Sequence, residues 1–319
     1  MRVVLFGGAG FVGLNLAEAL SRGGDEVVLF DRQKPPATFA ADRVNVHLGD
    51  VTDAEAVARA LAGAGAAVYG AAITSDALRE AASPRTVLDV NLMGWLTVLE
   101  AARRTGVGRL VNLSSAGAYG EAAFGTAPLD EATTLPDPRT LYAISKLASE
   151  RAGARLRDLW GMDVVSVRLS SVFGPWERPT GVRDTLSPPF QVMRAALQGE
   201  PVRCERSDVR DWVYAPDVGR AVRALLHHVR PSHDLYNVGP GTSFDLVGWA
   251  ERLRTRFPAL QVSIDAENPT IRTHMPRLRQ PLAVDRLRDD LGIAAFAGLE
   301  ASADDYAAWA ARHRDLICA

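Results

Sequence analysis

The feature that most constrains this chain lies at its start. A short apolar and β-branched run, residues 2–6, leads directly into Gly7-Gly8-Ala9-Gly10-Phe11-Val12-Gly13 and then into an amphipathic segment over 14–20. The pattern reads as strand, glycine turn, helix. Glycines at 7, 10 and 13 let the turn take positive φ, let backbone approach a pyrophosphate, and let the helix pack on the strand. The helix N-terminus then presents N–H groups to phosphate. A second apolar run, 26–30, ends at Asp31, at about the twenty-residue spacing where a carboxylate accepts hydrogen bonds from an adenosine ribose. An NAD-type dinucleotide is the expected cofactor, held by Gly7, Gly10, Phe11, Val12, Gly13 and Asp31. Arg32 would tolerate a 2′-phosphate, which leaves NADP open, but Asp31 would repel that phosphate at close range, so NAD is preferred.

The strand–helix alternation continues. Residues 44–48 read as a third strand ending at Gly49-Asp50-Val51, with a helix over 53–61 capped by Thr52 or Asp53. Asp50 and Val51 sit at a strand's carboxyl end, the edge that lines the ligand crevice of an open parallel sheet. There Asp50 either contacts the adenine or merely caps. A fourth strand over 66–71 ends in small residues, Gly70, Ala71 and Ala72, that let a cofactor lie close to the backbone. A long helix over 84–105 carries Asn91, and a fifth strand over 109–113 runs into Ser114-Ser115 on the same rim as the glycine turn. Residues 121–139, rich in Pro, Gly and acids, read as a substrate-facing loop. A sixth strand over 162–169 completes an α/β doubly wound parallel sheet with right-handed crossovers.

Beyond Gly174 the texture changes, with Pro175, Pro179, Pro188 and Pro189 ahead of a helix over 190–198. Helices are expected over 216–228, 244–257 and 304–317. The division is a dinucleotide-binding domain over 1–173, joined by returning segments near 209–235, and a smaller, interleaved C-terminal α/β substrate region over 174–319.

Tyr142 and Lys146 stand four residues apart on an expected helix, and so share a face. A neighbouring ammonium stabilises a phenolate, making Tyr142 a candidate proton-transfer residue; alone, the spacing more often describes a core tyrosine followed by a solvated lysine. Composition narrows the partner. A formal charge of −2 with mixed signs gives no footprint for nucleic acid or anionic membrane. No apolar run reaches the ~20 residues of a membrane span and no signal-peptide pattern precedes the first strand, so a cytoplasmic protein acting on a small molecule is expected. Cys204 and Cys318 are unpaired in pattern and the six His are scattered; no disulfide framework and no metal site is expected.

Taken together, these motifs resemble the extended short-chain dehydrogenase/reductase family, in its NAD-dependent nucleotide-sugar epimerase/dehydratase branch with a Rossmann fold. The likeness runs from Arg2 to about Gly292. It rests on the glycine turn, Asp31, Asp50-Val51, Asn91-Leu92-Met93-Gly94, Ser114-Ser115 before Ala118-Tyr119-Gly120, Tyr142-x-x-x-Lys146, Val172-Phe173-Gly174-Pro175, Arg210-Asp211-Trp212-Val213-Tyr214 with Asp217, and Tyr236-Asn237-Val238-Gly239. The resemblance implies that Tyr142 is the acid/base, Lys146 its partner and a ribose ligand, and Ser115 the hydroxyl polarising the substrate oxygen, with Ser114 the fallback. It also implies Asn91, Ala71 and Ala72 at the cofactor, and Thr74, Ser171 and Arg210 at the substrate. Arg210 would grip a nucleotide diphosphate, or else pair with Asp208 or Asp211. Arg178 and Arg183 would bind a carboxylate or phosphate, or be solvated.

The implied chemistry is hydride transfer from a sugar carbinol through a keto intermediate. A UDP-glucose 4-epimerase-like enzyme is expected, with an NAD-dependent dehydrogenase of a free sugar or sugar acid as the alternative. Ser171 stands where the branch has Asn, Cys204 to Asp208 replaces its Gly-Asp-Gly-like turn, and no Asp-Glu pair follows Ser115, which disfavours dehydration. A homodimer through the 84–105 and 142–160 helices is expected, using Leu88, Leu92, Leu99, Ile144 and Leu147.

Overall fold

Alternating side chains of the first strands serve two apolar layers. In the computed structural model, which describes residues 1–181, 185–273, 277–293 and 295–318, Val3, Leu5, Val27 and Leu29 face one layer and Val4, Phe6, Val28 and Phe30 the other. This two-sided burial is the mark of a parallel sheet covered on both faces. Strands β1 (Arg2–Phe6), β2 (Glu26–Asp31), β3 (Val44–Leu48), β4 (Ala66–Tyr69), β5 (Arg109–Ser115) and β6 (Asp163–Leu169) are all parallel. Smaller pairs follow: β7 (Ser171–Phe173) with β10 (Trp212–Tyr214), β8 (Val202–Cys204) with β13 (Val262–Ile264), and β9 (Val209–Arg210) with β12 (Phe244–Asp245). One late strand, β11 (Leu235–Val238), returns to the main sheet and pairs with β6, giving the order β11-β6-β5-β4-β1-β2-β3. The family landmark Tyr236-Asn237-Val238 is thus a seventh sheet strand.

The helices cover the two faces. α1 (Phe11–Arg22) and the later α8 (Ala215–His227) lie on one. α2 (Ala54–Leu61), α5 (Gly94–Thr105) and α6 (Leu141–Trp160) lie on the other, past the short α3 (Ala77–Ala82) and α4 (Pro84–Leu88). α7 (Pro188–Gln198), α8 (Ala215–His227), α9 (Leu246–Arg252), α10 (Asp285–Leu291), α11 (Leu299–Arg312) and α12 (Arg314–Cys318) build the C-terminal half. Phe190, Trp212, Trp249 and Tyr306 of that half join the same core as Leu5 and Val111. Each such buried side chain contributes about 1.5–3 kcal/mol of transfer free energy, so the two halves share one hydrophobic interior.

Several expected elements differ. The helix over 84–105 is interrupted by a π-helical turn at Asp89–Met93, where the side chain of Asn91 makes bonds beyond its own helix. The helix over 244–257 is the shorter α9, because Asp245 caps it by accepting from the Val247 and Gly248 amides, and a 3₁₀ turn ends it. The last helix begins earlier, at Leu299, and breaks at His313. Among the apolar residues expected at a dimer face, Leu99 is 0 % exposed and packs against the sheet, so it is no surface residue. Ile144 is 43 % exposed, and Leu88, Leu92 and Leu147 are half-buried. No helix among the described residues is long and apolar enough to cross a membrane.

Candidate active site

The glycine turn leaves no room for side chains. Gly7 has φ +78°, and a Cβ there would lie 2.6 Å from Ala71 N; a Cβ on Gly13 would lie 2.5 Å from Gly7 O. β1, the start of α1 and the small residues after β4 are therefore in backbone contact. Gly10 precedes α1 without a side-chain cap, so the dipole-positive helix end, with Phe11 and Val12 in its first turn, borders an open cradle suited to a pyrophosphate. Asp31 closes one side. Its carboxylate accepts from Ala9 N at 3.1 Å and Gln33 N at 3.2 Å. Arg32 turns away toward Asp50, 3.7 Å off. Asp50 itself accepts from Thr52 N and Oγ1, at 2.9 and 2.8 Å, so it organises the turn before α2, whose cap is Asp53. Val51 is buried in the core.

Asn91 is fully engaged. It accepts from Ile73 N at 2.8 Å and donates to Ile73 O at 3.1 Å and Ser145 Oγ at 3.0 Å. Its role is to tie the loop after β4 to α6. Arg178 reaches back to the glycine turn: Nη2 donates to Ala9 O at 2.8 Å. Burial lowers the proton affinity of its guanidinium, with the Asp31 charge opposing.

α6 begins at Thr140, whose hydroxyl accepts from Ala143 N at 3.2 Å. One turn separates Tyr142 from Lys146, and Lys146 Nζ stands 5.8 Å from the Tyr142 ring centroid. Nζ donates to Leu113 O at 2.7 Å. Burial pulls the ammonium down to about 8, with Glu150 opposing. At the tip of β5, Ser115 Oγ accepts from Gly117 N at 3.0 Å. A Cβ on Gly117 would lie 3.3 Å from Ser115 Oγ and 3.9 Å from Tyr142 Cε1, so Ser115 and Tyr142 flank one small space. Ser114 is not in it. Strand alternation points it the other way, and its hydroxyl donates to Glu150, which is bidentate with Arg168 at 2.7 and 3.0 Å. Ser114 pins the strand tip to α6.

Toward the C-terminal half, Ser171 is half-buried just past the rim, and Thr74 is half-buried on the loop after β4. Arg210 is buried, with Nε donating to Asp208 at 2.7 Å, the pairing left open by the sequence. Arg183 lies outside the described residues. Two residues were not anticipated. Arg279 Nη2 donates to Ser170 Oγ at 2.7 Å and Ser171 Oγ at 3.3 Å and pairs with Asp211 at 2.7 Å. Glu80 of α3 accepts from Leu141 N at 2.8 Å and Tyr142 N at 3.4 Å. Both act across long sequence separations, and no local pattern announces either. Among the described residues, no group of three or more His, Cys, Asp or Glu could hold a metal ion.

Residues 3–239 match the model of the NAD dependent epimerase/dehydratase family. The chain is 30 % identical over 313 residues to a dTDP-glucose 4,6-dehydratase of Mycolicibacterium smegmatis, covering 81 % of this chain and 90 % of the relative. It superposes on the epimerase Mth375 of Methanothermobacter thermautotrophicus with a TM-score of 0.84 at 26 % identity, covering 99 % and 94 % of the two chains. It also superposes on MoeE5, solved with UDP-glucuronic acid and NAD, with a TM-score of 0.78 at 25 % identity, covering 98 % and 100 %. The chain belongs to the NAD-dependent epimerase/dehydratase family of enzymes.

Proposed function

We propose that this enzyme interconverts a nucleotide sugar and its 4-epimer by oxidising a carbinol to a ketone and reducing it again. The observation that carries this reading is the single space flanked by Ser115 Oγ and Tyr142, with Lys146 one helical turn away. NAD, when bound, supplies the hydride acceptor. The glycine turn and the start of α1 would hold its pyrophosphate, Asp31 its adenosine ribose, and Lys146 its other ribose. Tyr142 takes the carbinol proton as the C–H bond breaks and returns it when the ketone is reduced. Lys146 supports the phenolate by its charge, and Ser115 donates to the substrate oxygen; a proton shuttle of this type contributes ~10²–10⁴ in rate. Ala116 and Gly117 follow Ser115, so neither carries a group able to protonate a leaving hydroxyl, and water elimination has no acid there.

The experiment is to offer the purified enzyme UDP-, dTDP- and GDP-sugars and follow products by NMR. An epimer formed without net NADH is expected, and it is lost in Tyr142→Phe. A 4-keto-6-deoxy product would refute the reading. One observation favours a second substrate class: Arg210, the residue suited to a diphosphate, is turned inward onto Asp208. A dehydrogenase of a free sugar or sugar acid fits that arrangement, and stoichiometric NADH from a uronate or aldonate would establish it. We further propose a homodimer through α5 and α6, where Ile144 is exposed.

A further inference from the structure

We propose that Glu80 is a positioning residue for Tyr142, the element that sets the phenol at a fixed place relative to the cofactor turn. The proposal rests on the acid/base role of Tyr142 stated above. An α-helix leaves its first N–H groups without intrahelical partners. In α6 the Thr140 hydroxyl satisfies Ala143 N, and the two amides before it, Leu141 N and Tyr142 N, both point to Glu80 Oε1. A carboxylate at that terminus also meets the positive end of the helix dipole. Glu80 is 61 residues upstream of Leu141, on a helix with no buried residue of its own. Ser75 Oγ donates to the same oxygen at 3.2 Å.

The loop that carries Glu80 begins at the cofactor turn. Its first residue after Gly70, Ala71, is in backbone contact range of Gly7. Two residues further, Ile73 is clamped by Asn91, whose amide also donates to Ser145 Oγ. Ser145 Oγ in turn donates to Tyr142 O at 2.7 Å. The Tyr142 backbone is thereby tied twice to one loop: its N–H to Glu80, and its C=O through Ser145 and Asn91 to Ile73. The other end of that loop lies against the phosphate cradle. Residues 71–80 act as a spacer between the cofactor and the proton-transfer group. Since ~1 Å of misplacement at a reacting centre costs up to ~10²-fold in rate, loss of the Glu80 contact falls on the chemical step.

The test compares Glu80→Ala and Glu80→Gln, reading kcat, KM, NAD affinity and hydrogen exchange at the first turn of α6. Glu80→Ala is expected to lower kcat about 10- to 100-fold, leave KM and NAD affinity within about twofold, and speed exchange of the Leu141 and Tyr142 amides only. Glu80→Gln keeps the accepting oxygen and is expected to recover most of kcat. A Glu80→Ala enzyme with wild-type kcat per folded molecule overturns the proposal, as does a Gln variant as impaired as the Ala one. If the wild type turns over no sugar offered, the function proposed above fails separately. The exchange measurement then decides on Glu80, and unchanged protection of the α6 first turn overturns its role.

Discussion

Lys146 is held against its own electrostatic preference, and replacing it should strengthen the cofactor-free fold. Its side chain is buried and its ammonium titrates near 8 instead of 10.5, chiefly through burial. Each tenfold change in proton affinity corresponds to about 1.4 kcal/mol, so keeping the charge inside costs about 3 kcal/mol at pH 7. The sign follows from proton counting. Between about pH 8 and 10.5 the unfolded chain binds the proton and the folded one has lost it, so stability rises with pH in that window; below 8 both forms are protonated and the full cost is present. Lys146→Met removes the charge while nearly keeping the volume, and it also strips Leu113 O of the Nζ–H that it accepts at 2.7 Å, a loss of about 1–3 kcal/mol. The variant should be about 1 kcal/mol more stable at pH 7, with the advantage shrinking by about 2 kcal/mol by pH 9.5 and changing sign. Urea unfolding of cofactor-stripped protein, followed by tryptophan fluorescence at both pH values, measures the difference. Parallel stability–pH curves for the two proteins would refute a desolvated Lys146. The same variant should have lost its turnover.

Three further outcomes are expected. Gly13→Val, whose Cβ would meet Gly7 O at 2.5 Å and Gly8 O at 2.7 Å, should weaken NAD binding about 100-fold or more by calorimetry while far-UV circular dichroism is kept; an unchanged Kd would contradict the cradle. Asp290 is pushed up by burial but held down to about 2 overall by hydrogen bonds from Tyr236 and Ser232. Its contribution to stability is present above about pH 4 and lost as pH falls through 2, so Asp290→Asn should flatten that limb of the acid titration. Light scattering should give twice the 34.3 kDa chain mass, with Ile144→Asp shifting it to monomer; a wild-type monomer at micromolar concentration would remove the dimer.

Much of the architecture was legible because it is written in local patterns. Short apolar or alternating β-branched runs marked the first six strands, and the glycine turn marked the first crossover. Tyr142 and Lys146 share a face by helical geometry alone. What escaped has physical reasons. β11 pairs with β6 across all the chain between Leu169 and Leu235, and no neighbouring residue encodes such a partner. The π turn carries Asn91, whose partners Ile73 and Ser145 are both distant in sequence. Glu80 caps a helix that starts 61 positions later. Ser114 was different, since two consecutive strand residues cannot both face one cleft, and the period-two rule alone separates it from Ser115.

The return of β11 to the sheet edge has a consequence for how such enzymes can change. Its residues Leu235 to Val238 bond to Ser166 through Leu169, and Asn237 also binds Tyr119, Leu129 and Ala283. Exchanging everything after Gly174 for a foreign module would strip β6 of its outer neighbour and leave a bare apolar edge. A segment placed between β6 and β11 must therefore bring the chain back to the place it left. The sheet thus imposes a fixed point of return on whatever fills that excursion.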